Sequence, residues 1–259
     1  MTTTNHYTFG DNARAATRLE LLARAFEEPS RALLERFAPR APRLALDLGS
    51  GPGFTTRLVH EVSAAQRTLG LEASDKYLEQ ARGSAGQGIE LVREDITRPS
   101  GTIPAAELVF CRFVLTHVAD PAAALTAFRG YLAPGGRLLL QETASMETTH
   151  AALNRYYELV ARLQAHYGQT LYIGRELQRF AAGAPFSVVH AGIRRFERSA
   201  AVMAQLHLQN LMTWRADPFA QRVFDAAELN DLEQALRAVA EGEDRAQPVS
   251  LGLGELVLS

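Results

Sequence analysis

Ala15, Leu19, Leu22 and Phe26, then Leu33, Leu34 and Phe37, recur at helical spacing, with Pro29 and Ser30 between the two runs. This pattern predicts two helices ahead of the core. Runs of strand character follow at residues 44–48, 67–71, 90–92, 108–111 and 137–141, alternating with helix-like segments at 54–62, 76–82 and 121–132. Alternation of this kind predicts an α/β fold built on a parallel sheet. Pro134, Gly135 and Gly136 mark the turn into the fifth strand. Past Glu142 the alternation lapses into helical stretches at 148–167 and 174–182, a strand at 186–196, a second helical insertion at about 199–241 and a last strand near 252–258. The chain then divides into an N-terminal helical cap (1–40), a ligand-binding core (41–145) and a remainder (146–259) that completes the sheet and carries helical insertions, all within one structural domain.

With 259 residues, 47% of them apolar and 22% charged, the chain has the composition of a soluble globular protein with ample core. A net charge of -2 gives no general attraction to polyanions, so nucleic acid is not an expected partner. Cys111 is the single cysteine, which excludes an intrachain disulfide, a thiolate zinc cluster and a two-cysteine redox motif. No basic-then-apolar leader opens the chain, and its most apolar window, residues 105–118, is interrupted by Glu107 and Arg112 and is too short to span a bilayer. The expected setting is the cytoplasm, away from membranes.

The sharpest chemical signal is the run from Leu44 through Asp47, Gly49, Ser50, Gly51, Pro52 and Gly53 to Phe54, a strand that enters a glycine turn and opens a helix. Glycines there let the backbone turn sharply and come within contact distance of a flat ligand, which implies a nucleotide-like cofactor. A dinucleotide fingerprint wants a small residue where this chain has Phe54 or Thr56, so an NAD-dependent oxidoreductase is disfavoured. A triphosphate loop would end in Gly-Lys-Ser/Thr, and no lysine follows.

With these residues the chain resembles the class I S-adenosylmethionine (SAM) dependent methyltransferases over about 100 residues, from Arg43 to Glu142. The segment Leu46 to Gly53 matches their first motif; Gly70, Leu71, Glu72, Ala73, Ser74 and Asp75 match the end of their second strand; Arg93, Glu94, Asp95 and Ile96 match the following loop. Val109 to Val118 with Asp120 and Pro121 match the fourth strand and its helix, and Leu132 to Leu138 the turn into the fifth. The resemblance implies a Rossmann-like, mostly parallel seven-stranded sheet flanked by helices, with helical lid insertions, and SAM as cofactor. It implies a SAM site made by Asp47, Gly49, Ser50, Gly51 and Gly53, by Glu72 on the ribose hydroxyls with Ala73 beside it, by Asp95 on the adenine amine with Ile96, and by Arg112. Carboxylates suit both of the first two tasks because they accept charge-assisted hydrogen bonds from paired hydroxyls or an amine. Asp47 is read as orienting the glycine loop or meeting the methionine end.

Methyl transfer is an in-line displacement, so alignment supplies most of the acceleration, and an oxygen or nitrogen acceptor needs at most one base in reach. Ligands of open parallel sheets sit beyond the carboxyl ends of the strands. His117 after the fourth strand, Glu142 at the end of the fifth and His150 in the insertion are therefore the catalytic candidates, with His166 a further one. Arg112 could instead balance an anionic substrate or pack its stem over the cofactor. The chain lacks the Asn/Asp-Pro-Pro-aromatic run of base and glutamine methylating relatives and the acidic grouping of the magnesium-dependent ones, so no metal site is expected. Tyr156, Tyr157, Tyr167, Tyr172, Met212, Trp214 and Phe219 in the insertions suit an apolar pocket, though most must be ordinary core. The expected activity is transfer of a methyl group to a small organic molecule, at an oxygen of a secondary or quinone-type metabolite. The alternative is a SAM-binding enzyme that performs a dehydration or rearrangement on the same fold. Besides the small-molecule substrate, a second copy is the one partner considered, since an exposed face of the insertion helices could form a homodimer. The segment Tyr7 to Asp11 could fold over the opening.

Overall fold

The computed structural model describes residues 13–81, 86–242 and 247–259. The segment Tyr7 to Asp11 lies outside them. The strands are β1 (Leu44–Leu48), β2 (Arg67–Glu72), β3 (Ile89–Arg93), β4 (Ala106–Arg112), β5 (Leu132–Glu147), β6 (Val188–Ser199) and β7 (Pro248–Leu258). They form one seven-stranded sheet in the order β3-β2-β1-β4-β5-β7-β6. β1 to β5 pair in parallel, and only β7 runs antiparallel to its neighbours β5 and β6. The mostly parallel Rossmann-like sheet is therefore as expected, and the strand order turns outward from β1 to β4, the point above which such sheets bind ligands.

The helices are α1 (Ala13–Ala25), α2 (Glu27–Phe37), α3 (Phe54–Ser63), α4 (Asp75–Ala81), α5 (Pro121–Phe128), α6 (Ala151–His166), α7 (Leu177–Ala181), α8 (Ala200–Trp214), α9 (Pro218–Val223) and α10 (Ala226–Glu241). One face of the sheet packs Ala45, Leu108, Phe110, Leu139 and Val257 against α2 and α3; the other packs Leu46, Leu48, Val109 and Leu140 against α5 and α7. A further core joins α6, α8 and α10 with Leu251 and Leu253 of β7, so the insertions close against the sheet's carboxyl end.

Several boundaries differ from the sequence pattern for identifiable reasons. The break between α1 and α2 falls at Phe26, and Pro29 lies inside the first turn of α2, where its missing N–H is no loss. β5 starts at Leu132 and includes the Pro-Gly-Gly turn, with a register shift against β4 between Ala106 and Leu108. The second insertion is three helices, because Asp217 and Asp225 each cap a new one: Asp217 Oδ1 accepts from Phe219 N (2.8 Å) and Asp225 Oδ1 from Ala227 N (2.7 Å).

Candidate functional site

A cavity of about 660 Å³ opens above the carboxyl ends of β1, β2 and β4 and extends beneath the helical insertions. Its floor is the glycine turn. Gly49 and Gly51 hold φ angles of 70° and 54°, left-handed conformations that glycine adopts without strain. A Cβ on Gly49 would lie 2.5 Å from Val114 Cγ2, whereas one on Gly51 would meet only Leu19 Cδ1 at 3.4 Å. Gly49 is thus required by packing, while Gly51 keeps its backbone open to a ligand.

Glu72 closes the turn from the side: its Oε2 accepts from Gly51 N at 2.9 Å and its Oε1 from Ser74 N at 2.8 Å. Asp95 Oδ1 accepts from the amide and hydroxyl of Thr97 at 3.0 and 2.7 Å. Gly49, Ser50, Gly51, Glu72, Ala73, Asp95, Ile96 and Arg112 all line the cavity. Two expected cofactor contacts do not. Asp47 is buried beneath the turn, accepts from Thr56 Oγ1 at 2.8 Å and so ties α3 to β1; desolvation raises its pKa to about 7. Gly53 occupies the N-cap of α3.

The catalytic candidates separate in the same way. His117 lines the cavity, but burial, aided by the nearby charge of Arg18, pushes its pKa down to about 3, so it is neutral and a weak base. Glu142 is not part of the lining: its Oε1 accepts from the amides of Val114 (2.7 Å) and Leu115 (2.6 Å), strapping the turn that leaves β4. Desolvation raises its pKa to about 8. His150 also stands outside the lining, at the N-cap of α6, and His166 stacks on Phe219 at 3.9 Å. Neither ring is part of the cavity wall. Among the described residues, no group of three or more His, Cys, Asp or Glu side chains is placed to hold a metal ion.

Residues that sequence reasoning missed complete the far end. Arg18 of α1 donates to Asn210 Oδ1 of α8 at 3.3 Å, and both are almost fully buried. His207 stacks on Tyr156 at 4.2 Å, meets the Tyr157 hydroxyl at 3.3 Å through Nε2 and is held neutral by burial, its pKa lowered to about 3. Gln164 shares that wall. The available signal was polar residues in the apolar sequence of α8, where His207 and Asn210 fall on the buried face of the helix. Of the insertion aromatics, Tyr156 reaches the cavity; Tyr157, Trp214 and Phe224 pack in the helical core. Phe113 lines the cavity in a left-handed conformation (φ 57°), its ring edge-on to Phe26 at 4.9 Å. Non-glycine residues rarely hold such angles, and those that do cluster at ligand sites.

This arrangement agrees with what the chain is related to. A methyltransferase-domain family model matches residues 21–191, more than half of the chain. The chain belongs to the class I SAM-dependent methyltransferases. Over 123 residues it is 35% identical to a trans-aconitate 2-methyltransferase of Methylobacterium radiotolerans, covering 47% of this chain and 46% of that protein. The chain spans about half the length of the curated relatives it matches. Among solved structures it resembles one described as a candidate type II methyltransferase of Anaeromyxobacter dehalogenans, with a TM-score of 0.62 and 18% identity over 88% of this chain and 94% of the other. It also resembles the [4+2]-cyclase SpnF, with a TM-score of 0.58 and 16% identity over 91% and 81% of the two chains. At these identities the structural likeness concerns the fold alone.

Proposed function

We propose that the protein binds SAM over the glycine turn and transfers its methyl group to a small organic molecule held under the insertion helices, at an oxygen of a secondary or quinone-type metabolite. The observation that carries this reading is one continuous cavity with two linings. At one end are backbone freedom at Gly51 and the carboxylates of Glu72 and Asp95; at the other is an apolar collar of Phe26, Phe113, Met146, Val160 and Met203 with buried polar groups. The first lining fits the cofactor chemically: Glu72 would accept from the ribose hydroxyls, Asp95 from the adenine amine, and a flat base would lie against Ile96. When bound, SAM supplies an electrophilic methyl on a sulfonium centre.

The chain's own contribution is then alignment and exclusion of water. Phe113 and Met146 belong to the apolar collar, and a rigid acceptor held against it gains from pre-set orientation rather than from acid–base chemistry. Neutral His117 and His207 can hydrogen-bond an acceptor but remove a proton poorly, which favours an acceptor oxygen that is itself acidic. Relatives named for methyl transfer to trans-aconitate support a small-molecule acceptor. The solved cyclase of the same fold leaves the non-methylating alternative to experiment.

The test begins with calorimetric titration of S-adenosylhomocysteine against NADH. Micromolar binding of the first alone supports the cofactor reading, and no binding to folded, cofactor-free protein refutes it. A panel of acidic phenols, hydroxyquinones and organic acids with SAM then reads release of S-adenosylhomocysteine and formation of methylated acceptor. Conversion of a panel member with no methylation would favour the alternative.

A further inference from the structure

Arg112, Gln141 and Glu255 stand in one row across the sheet. Arg112 of β4 is the register partner of Gln141 of β5, and Gln141 is that of Glu255 of β7. Register partners in adjacent strands project to the same face, and this face is the one covered by α2. Three polar residues side by side on an interior face are costly to bury unless they satisfy one another, and they do so with Ser30 of α2 as the link. Arg112 Nη1 donates to Ser30 Oγ at 2.8 Å; Ser30 Oγ donates to Gln141 Oε1 at 2.7 Å; Gln141 Nε2 donates to Glu255 Oε1 at 3.1 Å and to Pro29 O at 3.2 Å. Arg194 Nε of β6 donates to the same Glu255 oxygen at 2.7 Å, and His190 Nε2 stands 3.7 Å from the other. Ser30, Gln141 and Glu255 are all buried.

The chain of donors has one polarity. Reversing the Gln141 amide would set its oxygen against two acceptors, Pro29 O and Glu255, and its nitrogen against the Ser30 hydroxyl, which already receives a proton from Arg112. The anchored carboxylate at β7 therefore dictates the Gln141 amide, which dictates the Ser30 hydroxyl, which fixes Nη1 of Arg112. Phe26 O accepts from the same Nη1 at 3.4 Å, and Thr55 Oγ1 from Nη2 at 3.4 Å. That accounts for Nη1 and for one N–H of Nη2. The Nε–H and the other Nη2–H have no partner among the described residues, and Nε and Nη2 share one edge of the guanidinium, the edge that pairs with carboxylates in bidentate fashion. Thr55 lies in the first turn of α3, so this edge sits beside a helix N-terminus as well, where negative charge is favoured. Across the glycine turn, the opposite flank carries Glu72. A ligand lying along the turn thus meets an acceptor at one end and a donor fork at the other.

We propose that Ser30, Gln141 and Glu255 form a positioning relay that presents the open edge of Arg112 to the cavity as a carboxylate seat, taken by the amino-acid carboxylate of the cofactor. This rests on the reading of the cavity as a SAM site. The relay residues touch no ligand; they act through Arg112.

The experiment is calorimetric titration of the whole protein with S-adenosylhomocysteine and with 5′-methylthioadenosine, which shares the adenosine but has no amino-acid tail. Ser30→Ala removes the link with the substitution most easily borne by a helix, and Arg112→Lys keeps the charge but loses the fork. In both variants S-adenosylhomocysteine affinity falls about tenfold, the loss expected for a hydrogen bond to a charged group, while methylthioadenosine affinity stays at the wild-type value. Ser30→Thr, which keeps the hydroxyl, restores the homocysteine-tailed ligand. If Ser30→Ala does not fold, Arg112→Lys and the Thr variant carry the test. Equal weakening of both ligands, or no weakening of either in folded variants, overturns the proposal while wild-type binding keeps the SAM reading intact. Failure of the wild type to bind either ligand refutes the SAM reading itself.

Discussion

Glu142→Gln should change how stability depends on pH while leaving the cavity walls in place. Oε1 of Glu142 accepts from Val114 N and Leu115 N, and a glutamine carbonyl oxygen can accept both. What the substitution removes is a titrating group whose pKa is raised from 4.5 to about 8, chiefly by desolvation. The sign follows from proton counting. Between those values the unfolded chain has released the proton and the folded chain keeps it, so this contribution is fully present below about pH 4.5 and is lost as pH rises through 8. Full mismatch of one proton is worth about 1.4 kcal/mol per pH unit. With a folded pKa near 8, the carboxyl is mostly protonated at pH 7 and half so at pH 8, which gives a fall of roughly 1 kcal/mol across that interval. The interval is chosen because His117 and His207, with folded values near 3, stop contributing above about pH 6.5, and Asp47, near 7, has largely finished. Urea unfolding at steps from pH 6.5 to 8 measures it. The wild-type stability should fall about 1 kcal/mol more than that of the variant between pH 7 and 8. A constant offset decides nothing, because Glu142 Oε2 has no hydrogen-bond partner and the glutamine N–H₂ placed there adds a pH-independent penalty. Parallel stability curves for the two proteins would show that Glu142 is not a desolvated carboxyl, and the strap reading would fall.

Other variants address the ligand site. Glu72→Ala should weaken S-adenosylhomocysteine binding by roughly 1.5–3 kcal/mol with the fold retained, read by calorimetry; unchanged affinity would remove the ribose role. Gly51→Val places a branched side chain in a left-handed position (φ 54°) facing the cavity, and binding should vanish while far-ultraviolet dichroism persists; normal affinity would mean the ligand lies elsewhere. His117→Asn should leave the pH dependence of any methyl transfer unchanged, since a histidine with a pKa near 3 does not titrate in the working range; loss of a limb near pH 6 to 7 in the variant would restore it as a base.

Strand alternation, the glycine turn and the motif order were enough to predict the sheet and to name eight expected cofactor residues that line the cavity, because each depends on local spacing: Gly49 and Gly51 announce left-handed turns, Glu72 ends β2 and Asp95 lies in the loop just past β3. Contacts made between distant segments were not legible. Ser30 reads with Pro29 as the break between two helices, and only the packing of α2 over β4 and β5 brings it to Arg112 and Gln141. Arg18 and Asn210 meet across 192 positions of sequence. The strand and helix boundaries moved where capping outweighed periodicity, as at Asp217 and Asp225.

Asp47, near the end of β1, and Glu142, which the sequence pattern puts at the end of the fifth strand but which lies inside a β5 that runs on to Glu147, show why a carboxylate read at a strand end is ambiguous in sequence. The same position suits a ligand contact and a scaffold tether, since several N–H and O–H donors leave the sheet together there and one carboxylate can accept from more than one of them. Which task it takes depends on whether the side chain rises above the turn, as Glu72 does beside Gly51, or stays beneath it, as Asp47 does on Thr56 and Glu142 does on Val114 and Leu115. Glu255 extends the second pattern one strand further, holding Gln141 rather than a loop amide. The glycine turn, the β4 exit and Arg112 are thus each held from below by a different buried carboxyl group. Weakened ligand binding in variants of these three would report displacement of the wall each one holds, and for Asp47 and Glu142, whose pKa values burial raises to about 7 and about 8, an accompanying change in the pH dependence of stability marks that displacement.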